Sequence, residues 1–123
     1  MAAGESRKVV VTGLGVLSST GVGKDNFWDG IRNGRSGVGP ITRFNAETYP
    51  SRIAGEIPDF DPHEFFPREV VRRADRFALM GLAATKLALQ DAGLPLRFSG
   101  SDCDNTCVVV GTSVGALAHA EET

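Results

Sequence analysis

Residues 8–23 read KVVVTGLGVLSSTGVG, an apolar run that ends in a glycine-punctuated turn. The valines at 9–11 are β-branched, which suits them to a pleated, buried strand more than to a helix. Gly13 and Gly15 then let the chain turn sharply where a Cβ would clash. Such spacing raises a dinucleotide-binding loop as a first reading, in which glycines admit a pyrophosphate close to the backbone. Ser18 stands at the place of the third glycine, and SSTGVGKD delays the helix that should follow at once. The acidic residue due about twenty residues on is also missing, since that region reads IRNGRSG. The stretch therefore reads as a strand and a tight turn, with nucleotide binding left as the minor alternative, testable by titrating NAD or ATP against Trp28 fluorescence.

Working outward, the pattern predicts a short helix after this turn, with Asp25 as its cap, Phe27, Trp28 and Ile31 on one face, and Gly34 ending it. Residues 35–60 are rich in glycine and proline, with extended pieces such as SRIAGEI. They read as an ordered loop wrapping a larger body. Asp61-Pro62-His63-Glu64 is a compact helix start, with a capping aspartate and proline at the first helical position. This makes His63 a surface residue, not a base. A long helix is predicted from about Arg72 to Ala92, with Phe77, Gly81, Ala84 and Ala88 in one stripe, Met80 and Leu87 beside it, and Gly93 and Pro95 terminating it. A second valine run, CVVVG at 107–111, matches the first in composition. Strand, helical crossover and strand imply parallel pairing by a βαβ route, hence an α/β fold.

The order of short blocks along the chain resembles the start of a β-ketoacyl-acyl-carrier-protein synthase, nearest the type II elongating synthases. VVVTGLGVLS (9–18), FW (27–28), SGVGPITRF (36–44), AGEIPDFDP (54–62), RRADRF (72–77) and GTSVG (111–115) follow that family's pattern in order and spacing. Any one block is weak; six in register over nearly the whole chain are specific. The resemblance implies a thiolase-like fold, a layered α/β/α/β/α body of two similar halves. Residues 8–123 would form an incomplete N-terminal part of it, behind a disordered lead-in at 1–7. It also implies a decarboxylative Claisen condensation that lengthens an acyl chain held on acyl carrier protein, in fatty acid or polyketide synthesis. No cofactor or metal is implied, and the full-length protein is expected to be a homodimer.

The family's reactive residues lie in TACSS-like, HGTxTxxGD-like and KSxxGH-like stretches, none of which occurs here. The nucleophilic cysteine and both histidines are therefore expected beyond residue 123, and no catalytic residue is assigned within it. Two other constellations carry expectations. Arg68, Arg72 and Arg73 stand where similar synthases contact their acidic carrier. With Arg76 they place 68, 72 and 76 on one helical face. Arg76 itself is assigned to a local pair with Asp75. Gly111, Thr112 and Val114 stand where similar synthases form the base of the acyl pocket. A bulkier side chain at 114 would restrict the chain that fits.

The remaining residues read plainly. Cys103 and Cys107 lack neighbouring ligands for a metal. Cys107 is expected to be buried in its strand, Cys103 to be an exposed thiol, and His119 to lie on a helix surface. The net charge of −2 favours neither a nucleic-acid nor a membrane-surface partner. No apolar run reaches spanning length. MAAGESR has no apolar core and is not a secretory signal, so cytoplasm is the expected compartment. A competing reading from another class is a non-catalytic partner, such as a chain-length-factor-like subunit or a truncated interaction module. Such a protein would share the N-terminal blocks and lack the cysteine.

Overall fold

Gly34 and Gly93 fix the ends of the two principal helices. In the computed structural model, which describes residues 8–112 and Gly115, both glycines adopt positive φ, 63° and 67°. Each lets the chain close a paired cap. Arg35 N–H donates to the Gly30 carbonyl and Gly34 N–H to that of Ile31; Leu94 and Gly93 do the same to Leu89 and Gln90. The helices so ended are α1, Lys24–Arg32, and α3, Arg76–Asp91.

The elements run in the order β1 (Leu17–Ser18), β2 (Gly21–Val22), α1, β3 (Gly39–Pro40), β4 (Ile53–Ala54), a 3-10 turn (Pro62–Glu64), α2 (Arg68–Val71), α3 and α4 (Ser101–Asp104). Among the described residues the strands form two antiparallel pairs, β1 with β2 and β3 with β4. Leu17 faces Val22, and Gly39 faces Ala54. The extended piece around SRIAGEI is therefore a strand edge inside an ordered loop. Asp61 caps the 3-10 turn, its Oδ1 accepting from the His63 N–H at 2.8 Å with Pro62 at the first position. His63 is exposed.

The core lies where α3 meets the segment before α2. Phe60, Leu79 and Ala83 are buried together, with Leu17, Ile57, Phe65, Phe66, Val71, Ala74 and Met80 packed against them. Leu79 and Ala83 are four apart and share one face of α3. This inward face is offset from the predicted stripe, since Phe77 and Gly81 are exposed. The other side of α3 receives the glycine turn. A Cβ at Gly15 would lie 2.6 Å from the Ala88 amide nitrogen, so only glycine lets the turn approach so near.

Several sequence expectations are corrected here. Asp25 does not cap α1: Gly23 occupies the cap, and Asp25 sits in the first turn, where its charge complements the helix dipole. The apolar face of α1 is only partly covered, with Trp28 64% exposed. The long helix begins at Arg76, not Arg72, because Asp75 is extended (ψ 151°) and breaks the chain between α2 and α3. The two valine runs form no ladder with each other among the described residues. Val9, Val10, Val11, Val108, Val109 and Val110 are between 71% and 96% exposed. Cys107 is likewise exposed, as is Cys103. A parallel pair is stable when both faces are covered, and the described residues place no helix over either run. The expected lead-in at 1–7, Val114 and His119 lie outside the described residues.

Candidate functional site

α2 is one turn long, and its sequence sorts itself by side. Val71 and, just beyond, Ala74 pack on the Phe60–Leu79–Ala83 cluster. Arg68, Glu69, Arg72 and Arg73 are exposed. Arg72 N–H donates to the Arg68 carbonyl at 3.0 Å, and Arg73 N–H to that of Val70 at 3.1 Å. The turn therefore holds Arg68 and Arg72 one above the other, with Arg73 beside them. Among the described residues, ion pairs join Lys24 to Asp91 and Arg35 to Asp29, and none involves these three arginines. The structure thus brings the three predicted residues together as an open cationic knuckle.

Arg76 departs from that group. Its guanidinium donates to the Ile57 carbonyl at 3.1 Å and lies 5.2 Å above the Phe60 ring. Burial, with Arg43 nearby, pulls it below the ordinary arginine range. It is a core-facing strut held by Ile57 and Phe60, and the expected local pair with Asp75 is not formed. The Asp75 Oδ2 is buried with no hydrogen-bond partner among the described residues. Asp75, Arg76, Arg43, Glu56, Phe77 and Gly115 border an open cavity of about 360 Å³.

The second predicted constellation is only partly described. Gly111 and Thr112 are exposed and are not among the residues lining this cavity. Gly115, the last residue of the same block, rests on Phe77. A Cβ there would stand 3.0 Å from its ring. The end of the GTSVG block is thus placed against α3.

Two anchoring carboxylates escaped sequence reasoning. Glu56 accepts from the Thr42 hydroxyl at 2.6 Å and from the backbone N–H groups of Thr42 and Arg43 at 3.1–3.2 Å. The hydroxyl foremost, then those amides, hold its carboxyl below the usual range. Asp91 accepts from the Leu14 N–H at 3.0 Å and pairs with Lys24. The Lys24 hydrogen bond leads in depressing Asp91, and Asp91 in turn raises Lys24. Glu56 thereby ties the AGEIPDFDP block to the SGVGPITRF block, and Asp91 ties the glycine turn to the end of α3. The sequence signal was present in the two blocks, but no local period relates residues 14 or 77 apart in the chain.

Among the described residues, no group of histidine, cysteine and acidic side chains could hold a metal ion. No helix there is long and apolar enough to cross a membrane.

Comparison with known proteins gives these features a context. Residues 6–123 match the family described as beta-ketoacyl synthase, N-terminal domain. The chain is 38% identical over 118 residues to a 3-oxoacyl-[acyl-carrier-protein] synthase 2 of Synechocystis sp., covering 96% of this chain and 28% of that protein. It is 42% identical over 118 residues to the granaticin polyketide putative beta-ketoacyl synthase 1 of Streptomyces violaceoruber, covering 94% of this chain and 27% of that protein. A solved structure, the ishigamide ketosynthase/chain length factor, superposes with a TM-score of 0.62 at 40% identity, over 70% of this chain and 21% of its own. The chain therefore spans a little over a quarter of the length of these curated relatives. Six sequence blocks in register, a family match over residues 6–123 and a ketosynthase neighbour in structure together show that the chain belongs to the beta-ketoacyl synthase family, matching its N-terminal domain.

Proposed function

We propose that this chain is the N-terminal part of a 3-oxoacyl-[acyl-carrier-protein] synthase, in which it supplies scaffold, part of the acyl pocket and part of the carrier-docking surface. The observation that carries this is family membership over residues 6–123, combined with the exposed Arg68–Arg72–Arg73 knuckle. In the parent protein an acyl group passes from the carrier's thioester to a cysteine thiolate beyond residue 123, releasing the carrier thiol. Malonyl-carrier then loses carbon dioxide with the help of two histidines. The resulting carbanion attacks the acyl-enzyme carbonyl, and the cysteine leaves. The product is a β-ketoacyl-carrier two carbons longer. Backbone N–H donors offset the oxyanion charge in each tetrahedral step.

Within this reading the thiolase-like layers assemble when the valine runs at 9–11 and 108–110 gain cover from the rest of the parent. Val114, with Gly111 and Thr112, borders the acyl chain. Acyl carrier protein is the partner, because an acidic surface is steered and oriented by unpaired arginines. The parent acts as a homodimer in the cytoplasm.

A second reading is favoured by one observation, the structural likeness to the ishigamide ketosynthase/chain length factor. A chain-length-factor-like parent would share this N-terminal domain and lack the nucleophile. The test is single-turnover acylation of the parent by radiolabelled acyl-carrier, followed by malonyl-carrier. Stoichiometric label on a cysteine beyond residue 123, chased into a longer β-ketoacyl product, is expected. Absence of label, with glutamine or another residue at the cysteine position, would replace the enzyme reading by the factor reading. Label on Cys103 or Cys107 would overturn the assignment of the chemistry to the rest of the protein.

A further inference from the structure

We draw no further inference here: the strongest candidate, the open cavity beside the unpartnered Asp75 carboxylate oxygen between Arg43, Glu56, Arg76 and Phe77, carries nothing because nothing in the structure shows what covers it.

Discussion

Glu56 shows how one solvent-accessible carboxylate can organise a loop. Its oxygens collect a hydroxyl and two backbone donors from residues fourteen and thirteen positions away. These bonds favour the charged form, so its folded pKa lies below that of the unfolded chain. Linkage then fixes the sign. The stabilisation is fully present above the unfolded carboxylate range, about pH 4.3, and is lost as pH falls through the depressed folded value. Replacing Glu56 by Gln in the parent protein should therefore lower its thermal midpoint near neutrality, and the gap from wild type should close in acid. Melting curves against pH measure this. A gap that stays constant down to pH 3 would mean that the substitution acts through shape alone. Val114 carries a second prediction at this scale, resting on the proposed acyl pocket. Val114→Phe in the parent should slow elongation more as the primer lengthens, by roughly 0.8 kcal/mol, or about fourfold, for each methylene denied burial. Rates measured across a primer series would fall in parallel if the ring only disturbed packing.

The chain from α2 to α3 illustrates how a single extended residue redirects an element. Arg68, Arg72 and Arg76 would share a face on one continuous helix. Asp75 interrupts it, so Arg76 turns inward to Ile57 and Phe60 while Arg68, Arg72 and Arg73 remain outside. The break divides a basic sequence cluster into one structural cation and three available ones. Docking through the latter predicts that Arg72→Glu combined with Arg73→Glu raises the KM for acyl-carrier by about tenfold at low salt, equivalent to ~1.4 kcal/mol. The effect should shrink as ionic strength rises, because exposed charges are screened beyond roughly 8 Å in physiological salt. The melting temperature should hardly move, since exposed helix charges contribute about 1 kcal/mol or less. A KM unaltered at every salt concentration would return the knuckle to a solvated helix end. Arg76→Gln should behave oppositely, lowering stability with little change in salt dependence, because it removes the strut beneath the knuckle.

At the scale of the molecule the described residues leave a large apolar debt. Full burial of a valine contributes roughly 1.5 kcal/mol or more, so the six exposed valines at 9–11 and 108–110 forgo on the order of 10 kcal/mol. That is comparable to the entire stability of an ordinary domain, about 5–15 kcal/mol. The buried cluster of Phe60, Leu79 and Ala83 is small beside it. Residues 1–123 expressed alone should therefore bind an apolar dye such as ANS and self-associate in a concentration-dependent way, as proteins with large exposed apolar patches do. Fluorescence titration and sedimentation velocity check this. A monomer that excludes the dye and unfolds cooperatively would show that the valine runs find cover within the chain itself.

Local chemistry was readable from the sequence because its causes lie within a few residues. Gly34 and Gly93 end their helices through positive φ, and Asp61 caps the turn that contains His63, as the spacing dictates. Family membership was legible for a related reason: six blocks in fixed order leave little room for another protein. Tertiary structure decided what depends on distant partners. It set the start of α3 at Arg76, gave Arg76 to Ile57 and Phe60 in place of Asp75, and made Glu56 and Asp91 anchors for loops remote in sequence. It also left the valine runs unpaired among the described residues, where composition alone had matched them as strands. The physical reason is one of range. Caps and turns are settled by a residue's own φ and its nearest hydrogen bonds, whereas burial and strand pairing depend on whatever covers the surface, which no local pattern contains.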